Sequence, residues 1–307
     1  MKTKQAGKLV ISLSEEWKVN SFLNLNKITK ELGGSICRDY SDFNTFEFTL
    51  VSFEKTVRFL HLNFYKQDVS RDKIKILRER RVKSIVSIVK YLNKNPGLKY
   101  NFEILRGLAS IIDDTSWPIQ FGYEAGRDKS PVIKVYISIV GSNSNGAYFL
   151  KKLCALLGLK WEGLKSIFSR SDIDAIGIDL LHNGCHRLKI YTYFRPPFNL
   201  LNIRKIYKKY REDRDEYLDL YLGGIENMPL RHVGLLYRIS KDSFIESVKI
   251  WARLEKPIPF KLLQPIMKSA PARLNRWLIS ASDIIKSGGG RVSYLTLENK
   301  KIGVYFR

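Results

Sequence analysis

The stretch Arg187-Leu-Lys-Ile-Tyr-Thr-Tyr-Phe194 alternates strictly, and both of its faces are informative. Leu188, Ile190, Thr192 and Phe194 form one side and Arg187, Lys189, Tyr191 and Tyr193 the other, because successive side chains of a strand point to opposite faces. A half-buried strand ordinarily shows water small polar and charged groups. Two cations and two tyrosines in a row mark a face with a purpose.

The same text recurs. Hairpin-like segments span Phe46–Phe64, Ile119–Val140, Asp174–Phe194, Arg231–Leu254 and Arg291–Phe306. Their turns are expected near Glu54-Lys55, through Gly126 to Lys129, at Asn183-Gly184, near Lys241-Asp242 and at Glu298-Asn299. Asn-Gly is the strongest of these signals, since both residues tolerate the positive φ of a tight hairpin. Between the hairpins, "SRDKIKILRERRVKSIVSIVKYLNKN" and "GAYFLKKLCALLGLKWEGLKSIF" repeat apolar residues at three- and four-residue steps, the helical period. "NIRKIYKKYREDRDEYLDLYLGG" reads as one charged amphipathic helix stopped by its glycine pair. "FIESVKIW" fits a helix as well as a strand, so the fourth hairpin is the least defined.

Ten strands in five antiparallel hairpins, each followed by amphipathic helices, call for closure. An open sheet of that size would leave two long edges and an uncovered face. The expected fold is therefore α+β: a ten-stranded antiparallel barrel of five hairpin-plus-helices repeats inside an outer ring of α-helices, formed by residues 1–307 as one domain. Apolar strand faces then meet the helices, and the polar faces line a wide, wet lumen.

Aligning the second strand of each hairpin places Arg58, Lys134, Lys189, Lys249 and Lys301 on that inner face, one cation per repeat. Tyr136, Tyr191, Trp251 and Tyr305 share it, and Lys134, Lys189 and Lys249 each stand two residues before their aromatic partner. Such a set suits ionisation of an allylic diphosphate. Convergent lysine and arginine side chains stabilise the diphosphate most as it departs with the bonding electrons. Aromatic rings shield the remaining carbocation from water, each contact contributing about 0.5–2 kcal/mol.

These features resemble the ABBA prenyltransferases, whose five hairpin-plus-helices units close a ten-stranded barrel. The chain looks most like the cyanobactin-type peptide prenyltransferases. The resemblance runs from about Ser41 to the C-terminus and is best in "TFEFTLVSFEKTVRFLHLNF", "GAYFLKKLCALLG" and "AIGIDLLHNGCHRLKIY". It implies transfer of a dimethylallyl or geranyl group from its diphosphate to an electron-rich peptide side chain or a small aromatic acceptor. By the same resemblance Glu47 assists deprotonation of the acceptor and Arg58 binds diphosphate with Lys134, Lys189, Lys249 and Lys301. His232 falls near a position limiting donor length, and its size leans toward geranyl. Gly303 departs from the pattern, standing where a relative can carry a larger or basic residue. A magnesium ion bridging the diphosphate is compatible with this site but not demanded by it, because the lysine and arginine clamp can replace it. No organic cofactor is implied.

The formal charge of +23 in 307 residues predicts an anionic partner without naming it. The rival reading is a basic nucleic-acid-binding protein or nuclease, carried by the basic helical segments. It lacks zinc ligands, a recognition-helix signature and a nuclease's metal-binding carboxylates. A third reading is a non-catalytic barrel for a polyanionic small molecule. Asp113-Asp114 lacks the companion aspartates of a magnesium–diphosphate motif, and His182 and His186 lack a third ligand. Cys185 has no base beside it beyond that turn, and Gly288-Gly289-Gly290 is not followed by a phosphate-loop Lys-Ser/Thr. Three unpaired-looking cysteines (Cys37, Cys154, Cys185) and the absence of a long apolar run predict a cytoplasmic protein with no membrane association.

Overall fold

The computed structural model describes residues 44–51, 56–63, 71–94, 96–111, 119–126, 129–138, 143–165, 172–194, 196–210, 216–259, 291–298 and 301–306. Strands β1 (Asn44–Val51) and β2 (Thr56–Asn63) form the first hairpin, followed by α1 (Arg71–Leu92) and α2 (Glu103–Ile111). Next come β3 (Ile119–Gly126), β4 (Lys129–Ser138), α3 (Asn143–Leu157) and a 3₁₀ turn at Trp161–Leu164. The third unit is β5 (Asp172–Leu180), β6 (His186–Phe194), α4 (Leu200–Lys208) and α5 (Glu216–Glu226). The fourth and fifth hairpins are β7 (Leu230–Ile239) with β8 (Ile245–Pro259), and β9 (Arg291–Glu298) with β10 (Lys301–Phe306). Every strand pairs antiparallel with its sequence neighbour, and β1 pairs with β10, so the hydrogen-bonded order closes on itself.

Closure follows from the two faces. Ile133, Val135 and Ile137 of β4, Ile176 and Ile178 of β5, and Leu188 and Ile190 of β6 are all fully buried on the outer side. They share one core with Ile85, Ile88 and Val89 of α1, Leu105 and Leu108 of α2, Leu150 and Leu153 of α3, and Tyr221 and Ile225 of α5. No helix among the described residues is long and apolar enough to cross a membrane.

The turns obey local chemistry. Gly184 alone of the pair takes positive φ, +79°, closing a Leu181–Cys185 loop in which Asn183 Oδ1 accepts the Cys185 amide at 3.1 Å. The β7–β8 turn instead puts Ser243 at φ 65°. The ambiguous "FIESVKIW" lies in this hairpin's second strand, with Ser247↔Arg238 and Lys249↔Leu236 in register.

The charged helix needs correction. It is two helices, α4 and α5, and α5 continues through Gly223 and Gly224 to Glu226. Leu218, Tyr221, Leu222 and Ile225 are buried at helical spacing, and that packing outweighs the roughly 1 kcal/mol that each glycine costs a helix interior. The expected turn residues Glu54-Lys55 and Asn299, and also Cys37, Asp113-Asp114 and Gly288-Gly289-Gly290, lie outside the described residues.

Candidate active site

The inner faces of β3 to β9 carry a belt of charge directly above a belt of rings. Lys134, Lys189 and Lys249 are 5%, 2% and 6% exposed, depths at which lysine is rarely found without a partner. Partners for Lys134 and Lys189 come from the neighbouring strands. Asp179 on β5 is fully buried and lies in register between Lys134 and Arg187. Its carboxylate receives Lys189 Nζ at 2.5 and 2.7 Å, Arg187 Nη2 at 3.3 Å and Lys134 Nζ at 3.5 Å. Lys134 Nζ also meets Glu124 Oε2 at 3.0 Å. One step further round, Arg238 grips Glu298 through both of its terminal nitrogens, and Ser247 Oγ donates to Glu298 Oε1 at 3.2 Å.

Burial works against the charge on Asp179, but Lys134, Lys189 and Arg187 prevail and hold its carboxyl well below the usual carboxylate range. Lys189 moves the other way. Burial, with the nearby Lys134 and Arg238 charges, pulls it below the ordinary lysine value, and Asp179 opposes that fall. Among the described residues the lumen is therefore a compensated site, in which cations outnumber the carboxylates that steady them.

The rings follow two residues along each strand. Tyr136 and Tyr191 meet edge to face with centroids 5.8 Å apart, both over Gly177. A Cβ at Gly177 would touch Tyr136 at 3.1 Å and Tyr191 at 3.3 Å, so the absent side chain makes room for the pair. Trp251 stands 6.5 Å from Tyr294, which is 6.0 Å from Tyr305. Lys249 Nζ lies 5.8 Å from the Tyr305 ring centroid and Arg253 5.5 Å from that of Tyr294. Gly303 now has a local reason, since a Cβ there would come within 2.5 Å of Thr296 Oγ1.

The structure brings together Lys134, Lys189, Lys249, Tyr136, Tyr191, Trp251 and Tyr305 on one inner surface. Glu47, Arg58 and Lys301 are placed only by backbone register. Thr49 pairs with both Tyr305 and Arg58, which puts Glu47 and Arg58 on the face of Tyr305, and Lys301 pairs with Glu298. Their side chains lie outside what the structure describes. His232 packs against Tyr193 with ring centroids 5.0 Å apart, and its buried Nδ1 has no hydrogen-bond partner. Burial, with Arg253 and Arg231 nearby, lowers its pKa.

Asp179, Glu124, Arg238, Glu298 and Tyr294 escaped the sequence reading. All five sit on first strands of hairpins, whereas the alignment that exposed the cations used second strands alone. Continuing the alternation through "GIDLL" and "LTLE" would have found both Asp179 and Glu298.

The described carboxylates of the belt do not fit a resident magnesium ion, since each already meets a lysine or arginine. Among the described residues no group of three His, Cys, Asp or Glu side chains could hold a metal. His186 Nε2 lies 3.2 Å from the carbonyl oxygen of Leu157, a structural contact.

No protein-family model and no curated protein matches the chain. Solved structures do. The apo form of the prenyltransferase PriB superposes with a TM-score of 0.71 at 13% identity, covering 99% of this chain and 95% of that one. 5-Dimethylallyltryptophan synthase from Streptomyces coelicolor gives 0.67 at 11% identity, covering 99% and 97%. 6-Dimethylallyltryptophan synthase from Micromonospora olivasterospora, in complex with DMASPP and Trp, gives 0.67 at 12%, covering 99% and 96%. Closed antiparallel strand order, a cationic belt over rings and these superpositions agree: the chain has the fold of the ABBA prenyltransferases.

Proposed function

We propose that this chain is a cytoplasmic prenyltransferase, working as one domain in which the ten-stranded barrel sits inside a complete ring of helices. It moves a dimethylallyl or geranyl group from its diphosphate to an electron-rich acceptor. The observation that carries this reading is the buried row Lys134, Lys189 and Lys249 beside the Tyr136–Tyr191 pair and Trp251. Cations at that depth suit a small, highly charged anion admitted to the lumen. They are out of reach of a nucleic-acid backbone, which touches protein surfaces.

Lys134, Lys189 and Lys249, with Arg58 and Lys301, bind the diphosphate. The C–O bond breaks, its electron pair leaves on the diphosphate oxygen, and the ammonium and guanidinium groups stabilise the charge that develops there. Tyr136, Tyr191, Trp251 and Tyr305 enclose the allyl cation and keep water from it. The π electrons of the acceptor form a new C–C bond, or a lone pair a new C–heteroatom bond, and the displaced proton passes to Glu47. His232, packed on Tyr193, sets the depth available to the isoprenoid chain. No step requires a metal ion of the protein's own; a magnesium ion, where used, arrives on the diphosphate.

The acceptor is an aromatic or other electron-rich side chain of a peptide, as in cyanobactin-like tailoring of ribosomal peptides, or a small aromatic such as tryptophan. The deciding experiment incubates the protein with dimethylallyl and geranyl diphosphate and a pool of peptides and free tryptophan, followed by mass spectrometry. A product heavier by one isoprenoid unit is expected, and fragmentation names the modified group. No adduct and no released diphosphate with any pairing would refute the reading.

A further inference from the structure

We propose that Asp179 is a positioning residue, the built-in counter-ion that holds Lys134 and Lys189 in aim and keeps Lys189 charged while the barrel is empty, and that releases both when a diphosphate enters. The proposal rests on the diphosphate-binding reading above and extends it to a residue of opposite charge. The geometry points to it in three ways. Asp179 is fully buried and holds three cations from two neighbouring strands, with Lys189 at 2.5 Å, Arg187 at 3.3 Å and Lys134 at 3.5 Å. Its cross-strand partners in register are Lys134 and Arg187, so the carboxylate lies between the strands that supply the clamp. It also lies one alternation step from Gly177, the glycine beneath the Tyr136–Tyr191 pair.

A buried lysine surrounded by other cations loses its proton readily, and a neutral amine neither attracts a diphosphate nor stabilises its departure. The charged groups among the described residues that face Lys189 are Asp179 on β5, Lys134 on β4, Arg187 on β6 and Arg238 on β7. Beyond these stand Glu124 on β3, Lys249 on β8 and Glu298 on β9, with Glu124 held by Lys134 and Glu298 by Arg238. Asp179 is the carboxylate in direct contact with Lys189. A diphosphate entering the belt offers the same lysines more negative charge than one carboxylate, so the exchange of counter-ions favours the ligand. The same carboxylate stands as a competitor until then.

This double role gives a signature that a packing role does not. Inorganic pyrophosphate binding is measured by calorimetry from pH 6 to 9.5 for the wild type and Asp179→Asn. The variant is expected to bind as well as or better than the wild type at the acid end, where Lys189 stays charged and its competitor is gone. At the alkaline end it is expected to bind at least about tenfold more weakly, a shift of one pH unit or more in the basic limb. Adding Lys189→Arg to Asp179→Asn restores alkaline binding, because arginine keeps its charge throughout this range. A folded Asp179→Asn that is weaker by one constant factor at every pH, or unchanged at every pH, overturns the positioning role. If Asp179→Asn does not fold, Asp179→Asn/Lys189→Met decides. Recovery of the fold shows that the carboxylate answers the lysine charge, and failure of both assigns Asp179 to packing. A wild type that binds no pyrophosphate at any pH sinks the functional reading itself, an outcome distinct from a wild type that binds and a variant whose limb stays put.

Discussion

Gly234 and Gly177 both stand beneath lumen rings, yet their substitutions have different consequences. At Gly234 a Cβ would overlap the carbonyl oxygen of Thr192 and come within 2.6 Å of Trp251, and backbone cannot step aside. Gly234→Ala is expected to lower stability by about 3 kcal/mol, the upper end for overpacking, read as a drop in Tm. At Gly177 the neighbours are ring edges at 3.1–3.3 Å, which can move. Gly177→Ala should cost only about 1 kcal/mol of stability but splay the Tyr136–Tyr191 pair, so kcat falls while Tm barely shifts. Asp179 adds a pH dependence. Its folded pKa is depressed below the unfolded value near 3.9, so its stabilisation is full above that pH and lost as pH falls through and below it. Urea midpoints between pH 2.5 and 6 should fall more steeply for the wild type than for Asp179→Asn.

Elements were legible wherever one local signal decided them. Asn183-Gly184 announced its turn, and α1 and α3 announced themselves by period. The β7–β8 turn did not, because a serine fills the left-handed position that Gly184 fills in the β5–β6 turn, and what holds its side chain lies outside the hairpin. Its Oγ accepts the Lys160 amide at 2.6 Å, and the 3₁₀ turn presses Gly163 against the Ser243 carbonyl. Ser243→Ala keeps the strained φ and loses that bond. It is expected to cost about 1 kcal/mol and to speed hydrogen exchange at the Lys160 amide, with β8 still formed. The helix α5 escaped for the matching reason, since burial of Tyr221 and Ile225 is a property of the neighbours rather than of the segment. The cations of the site were readable because each strand states its own alternation. Their carboxylate partners became visible only through register, which a single strand does not contain.

At the scale of the whole molecule, the +23 charge and the buried belt act at different ranges. On the proposed function, the net positive charge would draw an anionic donor from a distance and be screened within about 10 Å at 0.1 M salt, whereas the belt is sheltered. Donor association is therefore expected to slow with added salt more than kcat does, as stopped-flow and steady-state rates can separate. Cys154, with its thiol pushed up to about 11 by burial, reports global opening. Of the two described cysteines, a thiol reagent at pH 7 should modify half-buried Cys185 first and Cys154 only as the protein unfolds.

Finally, nine of the ten strand junctions join neighbours in sequence, whereas the tenth, between β1 and β10, joins Leu50 to Val304 and Thr49 to Tyr305 across almost the entire described chain. Nine can zip in succession at little entropic cost; the last must wait for both ends to find each other. That seam is the natural late event in folding and the natural slit through which solvent first enters, so amide exchange should be fastest there and slowest between β5 and β6. The wall that the proposed reaction needs against water is thus only as tight as its most distant handshake.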